Sequence, residues 1–363
     1  MLLNLDRRRI LSLAETRQLM NKKLGKLLPA VEIELKAELV YRINKLKIER
    51  GAIILGHNYM EPALYTMIPD AQGDSLELSR IAATTEADPI IFCGVQFMAE
   101  TAKILNPKRT VLIPSNRAGC SLAASITAHD VRMLRQRFPG VPIVTYINTY
   151  TDVKAEVDVC CTSSNAMRIV GSLDSPIVIF LPDRYLGQNV ANEMAREFRL
   201  ADELTDTEFR QWPKSKPLLI GWRGVCEVHE KFTRQDILDI RKQFPTVAVL
   251  SHPECPPEVV AESDYSGSTS AMIRYVQKSR APSYLLLTEC SMGDNIAAEN
   301  PDKEMLRLCS VRCPHMNQIT LEDTLAALEQ NRYVVEIDKA VRIRAKRSLD
   351  RMLALSTPSL AID

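Results

Sequence analysis

The chain has 363 residues, 46% apolar and 25% charged, the proportions of an ordinary globular protein with room for two or three domains and a large core. Its formal net charge is +1 with acids and bases interspersed, which argues against a surface built for nucleic acid or an anionic membrane and favours a small-molecule partner. No apolar run reaches the length of a membrane span, and Met1 to Arg9 carries charges where a secretory leader is apolar, so a cytoplasmic location is expected.

Residues 1–30 have weak apolar periodicity and read as an N-terminal extension over the surface. Val31 to Arg50 spaces its apolar residues at helical intervals with charges between them, predicting an amphipathic helix that stops at Gly51. From there the chain states one pattern three times. The first copy is a strand over 52–55, a polar tip at His57 to Tyr59, a helix opened by Gly73-Asp74-Ser75, and a strand over 89–93. The second is a strand over 143–145, a tip at Tyr146 to Asn148, a helix opened by 162–165, and a strand over 176–181. The third is a strand over 247–250, a tip at His252 to Glu254, a helix opened by 267–270, and a strand over 283–287. The steps from His57 to Ser75, Tyr146 to Ser163 and His252 to Thr269 are 18, 17 and 17 residues. Each copy then delivers a cysteine within two residues of Gly or Pro: Cys120, Cys226 and Cys313. A polar stretch over 187–216 lengthens the middle copy. The tail, 321–355, reads as a helix whose basic second half faces solvent.

The predicted fold is therefore α/β, with three three-layer α/β/α domains: residues 31–125, with the 321–355 helix packing back on it, then 126–230 and 231–320. Pseudo-threefold packing of such units brings three strand ends and three cysteines to one axis. Repetition of strand, tip and capped helix is also common in any α/β protein; it is the shared order of tip, cap and cysteine that sets these copies apart.

Nine cysteines in a chain without a recognisable leader argue for metal ligation or buried thiols rather than disulfides. Widely separated cysteines are a weak metal signal, and free cysteine is often simply buried. For Cys93, Cys160 and Cys161, in apolar strand-like runs, burial is the simpler reading. Cys120, Cys226 and Cys313 sit in turns where sulfur can point inward, and three thiolates on a four-iron cluster leave one iron open to substrate. Cys255, Cys290 and Cys309 stay undecided, although Cys309 and Cys313 form a C-x3-C-P run. Ser75, Ser163 and Thr269 read either as N-caps or as anion-binding helix starts. His57, Tyr59, Tyr146, His252 and Glu254 are candidate acids and bases. Arg117 and Arg223 read as solvated turn residues. A zinc hydrolase is a rival, disfavoured because none of the five histidines forms a spaced pair.

The blocks GHNY at 56–59, GDSLELS at 73–79, YINT at 146–149, CCTSSNA at 160–166, FLPDRYLG at 180–187, GVCEVHE at 224–230, HPECPPEV at 252–259, GSTS at 267–270, TEC at 288–290 and CPHM at 313–316 resemble, in order, the quinolinate synthase family. The resemblance spans roughly residues 30–355. It implies three homologous domains around a 4Fe-4S cluster, ligated here by Cys120, Cys226 and Cys313. It also implies condensation of iminoaspartate with dihydroxyacetone phosphate to quinolinate, a step of NAD biosynthesis that releases phosphate and two waters. Substrate contacts are implied for His57, Ser75, Tyr146, Asn148, Ser163, His252, Glu254 and Thr269, with Tyr59, Glu254 and His57 in catalytic roles. A transient contact with the iminoaspartate-producing enzyme is expected, because the imine hydrolyses in water. Arg184-Tyr185, where many relatives carry Gln-Asn, and the additional Cys290 and Cys309 depart from the family pattern.

Overall fold

The computed structural model describes residues 9–306 and 311–356. Among these residues helices alternate with three parallel sheets, the α/β class expected. The first sheet runs in the order Ala71–Gly73, Ile53–His57, Ile90–Cys93, Val111–Leu112, and the third in the order Tyr265–Ser266, Ala248–Ser251, Ser283–Leu287, Glu304–Leu306. The second has five strands, Val159–Cys161, Ile143–Tyr146, Ile177–Leu181, Leu218–Gly221 and Glu197–Leu200. Strands Ile53–His57, Ile143–Tyr146 and Ala248–Ser251 are buried along their whole length, which explains their continuous apolar runs.

The three sheets share a winding. The chain lays down a central strand, steps to one side for the next, then crosses back to the other side for the third. Strand order therefore reverses between the first and third strands of each sheet, and the carboxyl ends on either side of such a switch point are where open α/β sheets bind ligands. They share a clamp as well. A backbone amide at the first or second residue of each central strand, Ile54, Ile143 or Val249, donates to Asp70 (2.8 Å), Asp158 (2.7 Å) or Asp264 (2.8 Å).

By its contacts the chain separates into two compact units. One comprises Met1–Gly119, Arg234–His252 and Glu262–Glu336, with the first and third sheets; the other comprises Cys120–Thr233, Pro253–Ala261 and Ile337–Asp363, with the second. In the second unit Phe138, Ile143, Ile179, Leu218 and Ile220 form the core on one side of the sheet. Beside the third sheet Leu250, Met272, Tyr284, Leu286 and Ile296 do the same.

Two expectations gain detail and one is corrected. The N-terminal extension contains a helix, Leu13–Leu24, started by a reciprocal Ser12–Glu15 capping box and burying Thr16, Met20 and Leu24. The polar stretch over 187–216 is ordered: most of a helix (Arg184–Glu193), the edge strand Glu197–Leu200 and a short helix (Asp206–Arg210). The tail is two helices rather than one. Leu321–Gln330 packs on Ala30–Glu49 beside the first sheet, whereas Lys339–Ser356 packs in the other unit on Thr151–Lys154 and Val159–Cys161, burying Ala345, Leu349 and Met352. No helix among the described residues is long and apolar enough to cross a membrane.

Candidate functional site

In the unit carrying the first and third sheets, the strand tips interlock through polar groups. Asn58, following Ile53–His57, donates from Nδ2 to Thr269 Oγ1 (2.8 Å) and Ser270 Oγ (3.2 Å). Tyr59 shares a 2.6 Å hydrogen bond with Thr288 Oγ1, at the end of Ser283–Leu287. Ser268 Oγ donates to Asp74 Oδ2 (2.9 Å), and the Asp74 N–H donates to Ser270 Oγ (3.2 Å). His57 Nδ1 accepts the Tyr59 N–H (3.2 Å), so the proton of the neutral ring belongs on Nε2. His57 and His252 are both buried. The structure thus brings His57, Tyr59 and Thr269, with Ser75 beside Asp74, to the facing loops of two sheets.

The expected caps are shifted by one residue. Asp74 and Ser268 are the N-caps of Ser75–Thr84 and Thr269–Lys278, so Ser75 and Thr269 are the first helical residues and their hydroxyls are not used as caps. In the middle copy Asn165 occupies the cap position of Ala166–Gly171 and Ser163 lies in the preceding turn, half-buried. No described hydrogen bond joins Ser163 to the other candidate residues of its unit.

That unit holds Cys120, Cys226, Tyr146, Asn148 and Glu254, together with His229, which is not among the expected site residues. His229 Nδ1 lies 2.6 Å from Glu254 Oε2 and 3.2 Å from Cys226 Sγ, with both His229 and Glu254 buried. Ligand atoms of Cys226, His229 and Glu254 all fall within 4.8 Å of one another. Asn148 Nδ2 donates to Glu254 Oε1 (3.4 Å), while Asn148 Oδ1 is buried without a hydrogen-bond partner. Burial drives the Cys226 thiol well above its ordinary pKa and the Glu254 charge adds to this; the backbone N–H groups of His229 and Val228 oppose the shift, and Cys120 raises it further. The Cys226 and Cys120 thiolates and the Glu254 carboxylate repel one another as anions, and His229 adds a nitrogen donor beside them, which is donor chemistry that a cationic group satisfies. The C-x-x-H spacing inside GVCEVHE was the available signal, and it weakens the objection to zinc drawn from the histidines.

The three special cysteines have one local setting. Each precedes a single helical turn: Ser121–Ala124, His229–Lys231 and Met316–Gln318. Cys120 Sγ accepts the Ala123 N–H (3.5 Å), Cys313 Sγ accepts the Met316 N–H (3.5 Å), and the His229 N–H serves Cys226 likewise. Amide hydrogen bonds of this kind stabilise thiolates and tune iron–sulfur centres. Cys93, Cys160 and Cys161 are fully buried in or at the end of strands, and burial pushes their thiols up, that of Cys93 to about 12, which is the setting of inert thiols. Cys255 is buried, Cys290 is half-buried, and Cys309 lies outside the described residues.

Gly224 fixes the Cys226 loop sterically. A Cβ there would stand 2.5 Å from Ser125 Oγ and 2.6 Å from the Pro182 carbonyl oxygen, and backbone cannot yield as a side-chain end can. Gly224→Ala is therefore expected to destabilise the metal-free protein by about 1–3 kcal/mol in urea unfolding; unchanged stability would show that the loop adapts.

The family model for Quinolinate synthetase A protein matches residues 41–354. The chain is 52% identical over 333 residues to Quinolinate synthase 2 of Mesorhizobium japonicum, covering 92% of this chain and 96% of that protein. It is 50% identical over 316 residues to Quinolinate synthase of Agrobacterium fabrum (87% and 85% covered) and 50% identical over 313 residues to that of Xylella fastidiosa (86% of each).

Proposed function

The chain belongs to the quinolinate synthetase A family, and from that premise we propose that it condenses iminoaspartate with dihydroxyacetone phosphate to quinolinate, releasing phosphate and two waters, in the cytoplasmic synthesis of NAD. The observation that carries the reading is the match at about half identity over nearly the whole chain, and the like winding of the three sheets, each with a switch point, supports it. The common strand order, the aspartate clamps and the cysteine turns support a pseudo-threefold arrangement of three α/β/α domains.

Cys120, Cys226 and Cys313 are the ligands of a 4Fe-4S cluster in this proposal. With three thiolate ligands, such a cluster supplies a Lewis acid that polarises a substrate oxygen or nitrogen. The remaining work falls to the side chains. Ser75 and Thr269, at the first positions of ten-residue helices, together with Ser163, Tyr146 and His252, hold carboxylate and phosphate groups of the substrates. Asn148 presents its buried Oδ1 to a substrate donor. His57 donates from Nε2. Tyr59, hydrogen-bonded to Thr288, and Glu254, paired with His229, move protons during enolisation and dehydration.

A second reading has one specific observation in its favour: Cys226, His229 and Glu254 form a set suited to a single zinc ion. Anaerobic purification followed by a quinolinate assay separates the two. Iron-dependent quinolinate formation supports the first reading; a zinc protein that forms none overturns it. Supplying iminoaspartate from its producing enzyme, against an equal flux of free imine, tests the expected handoff, and equal yields count against it.

A further inference from the structure

Each repeat ties its cysteine loop to the helix that follows its third strand. The Gln96 N–H donates to Ala118 O (2.7 Å), the Arg184 N–H to Gly224 O (2.7 Å), and the Cys290 N–H to Val311 O (3.1 Å). In all three the acceptor lies two residues before the cysteine, Cys120, Cys226 or Cys313. The repeats differ in the residue just before the donor: Val95, Asp183 and Glu289.

Asp183 and Glu289 are 0% and 1% exposed. Each caps its helix, Asp183 Oδ1 accepting the Leu186 N–H (2.7 Å) and Glu289 Oε2 the Ser291 N–H (2.7 Å). A cap needs only a short oxygen, and elsewhere in this chain Ser12, Thr127, Thr205, Ser268 and Thr320 provide one without burying a carboxyl group. Each carboxyl also faces the backbone N–H of the cysteine electrostatically, Asp183 that of Cys226 and Glu289 that of Cys313, and Asp183 Oδ2 is buried with no hydrogen bond of its own. Burying a carboxyl group this completely carries a desolvation cost that a simple cap does not require. In the first repeat, where Val95 offers no acceptor, the Cys120 N–H goes instead to the Tyr150 hydroxyl (3.3 Å).

We propose that Asp183 and Glu289 are positioning residues, each joining a helix start to the backbone of a cysteine turn so that Cys226 and Cys313 present sulfur in the direction the cluster requires. The proposal rests on the three-cysteine reading above.

The test compares wild type with Asp183→Ala, Glu289→Ala, Asp183→Asn, Glu289→Gln, Val95→Ala and Cys226→Ala after anaerobic reconstitution. It reads the rate of iron loss to a chelator and the thermal midpoint of each metal-free protein. The two alanine variants at the acidic positions are expected to lose iron at least about tenfold faster than wild type, with Asn and Gln, which keep an acceptor oxygen, within about threefold of it. Val95→Ala opens a cavity at the equivalent place and should lower the thermal midpoint while leaving iron loss near the wild-type rate. Release at the wild-type rate from both alanine variants overturns the proposal, as does equally fast release from Asn and Gln or from Val95→Ala. A wild type that binds no iron, or a Cys226→Ala protein that keeps its full complement, overturns the cluster reading itself.

Discussion

Replacing Cys226 by alanine is expected to take the anaerobically purified protein from about four irons and four sulfides per chain to less than about one, and to lower quinolinate formation by at least about a thousandfold. Cys120→Ala and Cys313→Ala should do the same. The prediction is large because each thiolate is both a ligand and a large part of the negative charge that holds the metal, so two sulfurs do not make a weaker version of the same site. The controls follow from burial and local geometry. Cys161→Ala removes a thiol held within a fully buried strand, and Cys290→Ala one at the first residue of a ten-residue helix; both variants should keep their iron. The zinc reading gives a different pattern. One zinc per chain, lost in Cys226, His229 and Glu254 variants but retained in Cys313→Ala, would make the cluster of donors around Glu254 the metal site and remove Cys313 from it.

The parts of the fold legible in the sequence were those written by burial. Central strands buried from end to end appear as unbroken apolar runs, so Ile53–His57, Ile143–Tyr146 and Ala248–Ser251 are seen to within two residues at either end. The parallel winding followed from the repetition of strand, tip and helix. What stayed hidden was written in single polar contacts. The Leu13–Leu24 helix buries only three side chains, so it has little apolar stripe to read, although its Ser12–Glu15 capping box is present in the sequence. Asp70, Asp158 and Asp264 do the same work in three places, but one aspartate in a loop has no periodicity to mark it.

The candidate site divides the same way. Cysteines within two residues of Gly or Pro, and polar groups at or just after the ends of buried strands, are local features, and they mark Cys120, Cys226, Cys313, His57, Tyr146 and His252. Caps were placed one residue late because Gly-Asp-Ser and Gly-Ser-Thr-Ser each offer adjacent acceptors, and only backbone geometry decides which one caps. The pairing of His229 with Glu254 joins residues 25 positions apart on different loops. No spacing rule contains it, although Cys-x-x-His marked His229 as worth weighing beside Cys226.

Glu254→Gln is expected to lower kcat by about a hundredfold to ten-thousandfold, the range lost with a general base, while KM changes little. The substitution keeps the size of the side chain and a carbonyl oxygen for the Asn148 amide, which lies 3.4 Å from Oε1. It removes the charge that faces the His229 imidazole at 2.6 Å and, of Cys226, His229 and Glu254, the one member able to accept a proton as a carboxylate. If Glu254 acts on protons during the reaction, its loss slows steps after binding and leaves the metal in place, so iron content should match wild type. If it is instead a metal ligand, iron or zinc falls in parallel with activity. His229→Ala separates the two further. Without the imidazole, Glu254 loses the partner that stands 2.6 Å from Oε2 and helps orient it, and kcat should fall by about tenfold to a thousandfold with the metal retained. A Glu254→Gln protein within about threefold of wild-type kcat would remove Glu254 from the proton-transfer steps. The carboxylate would then be left with an electrostatic task, as the buried negative charge against which Cys226 and His229 are set.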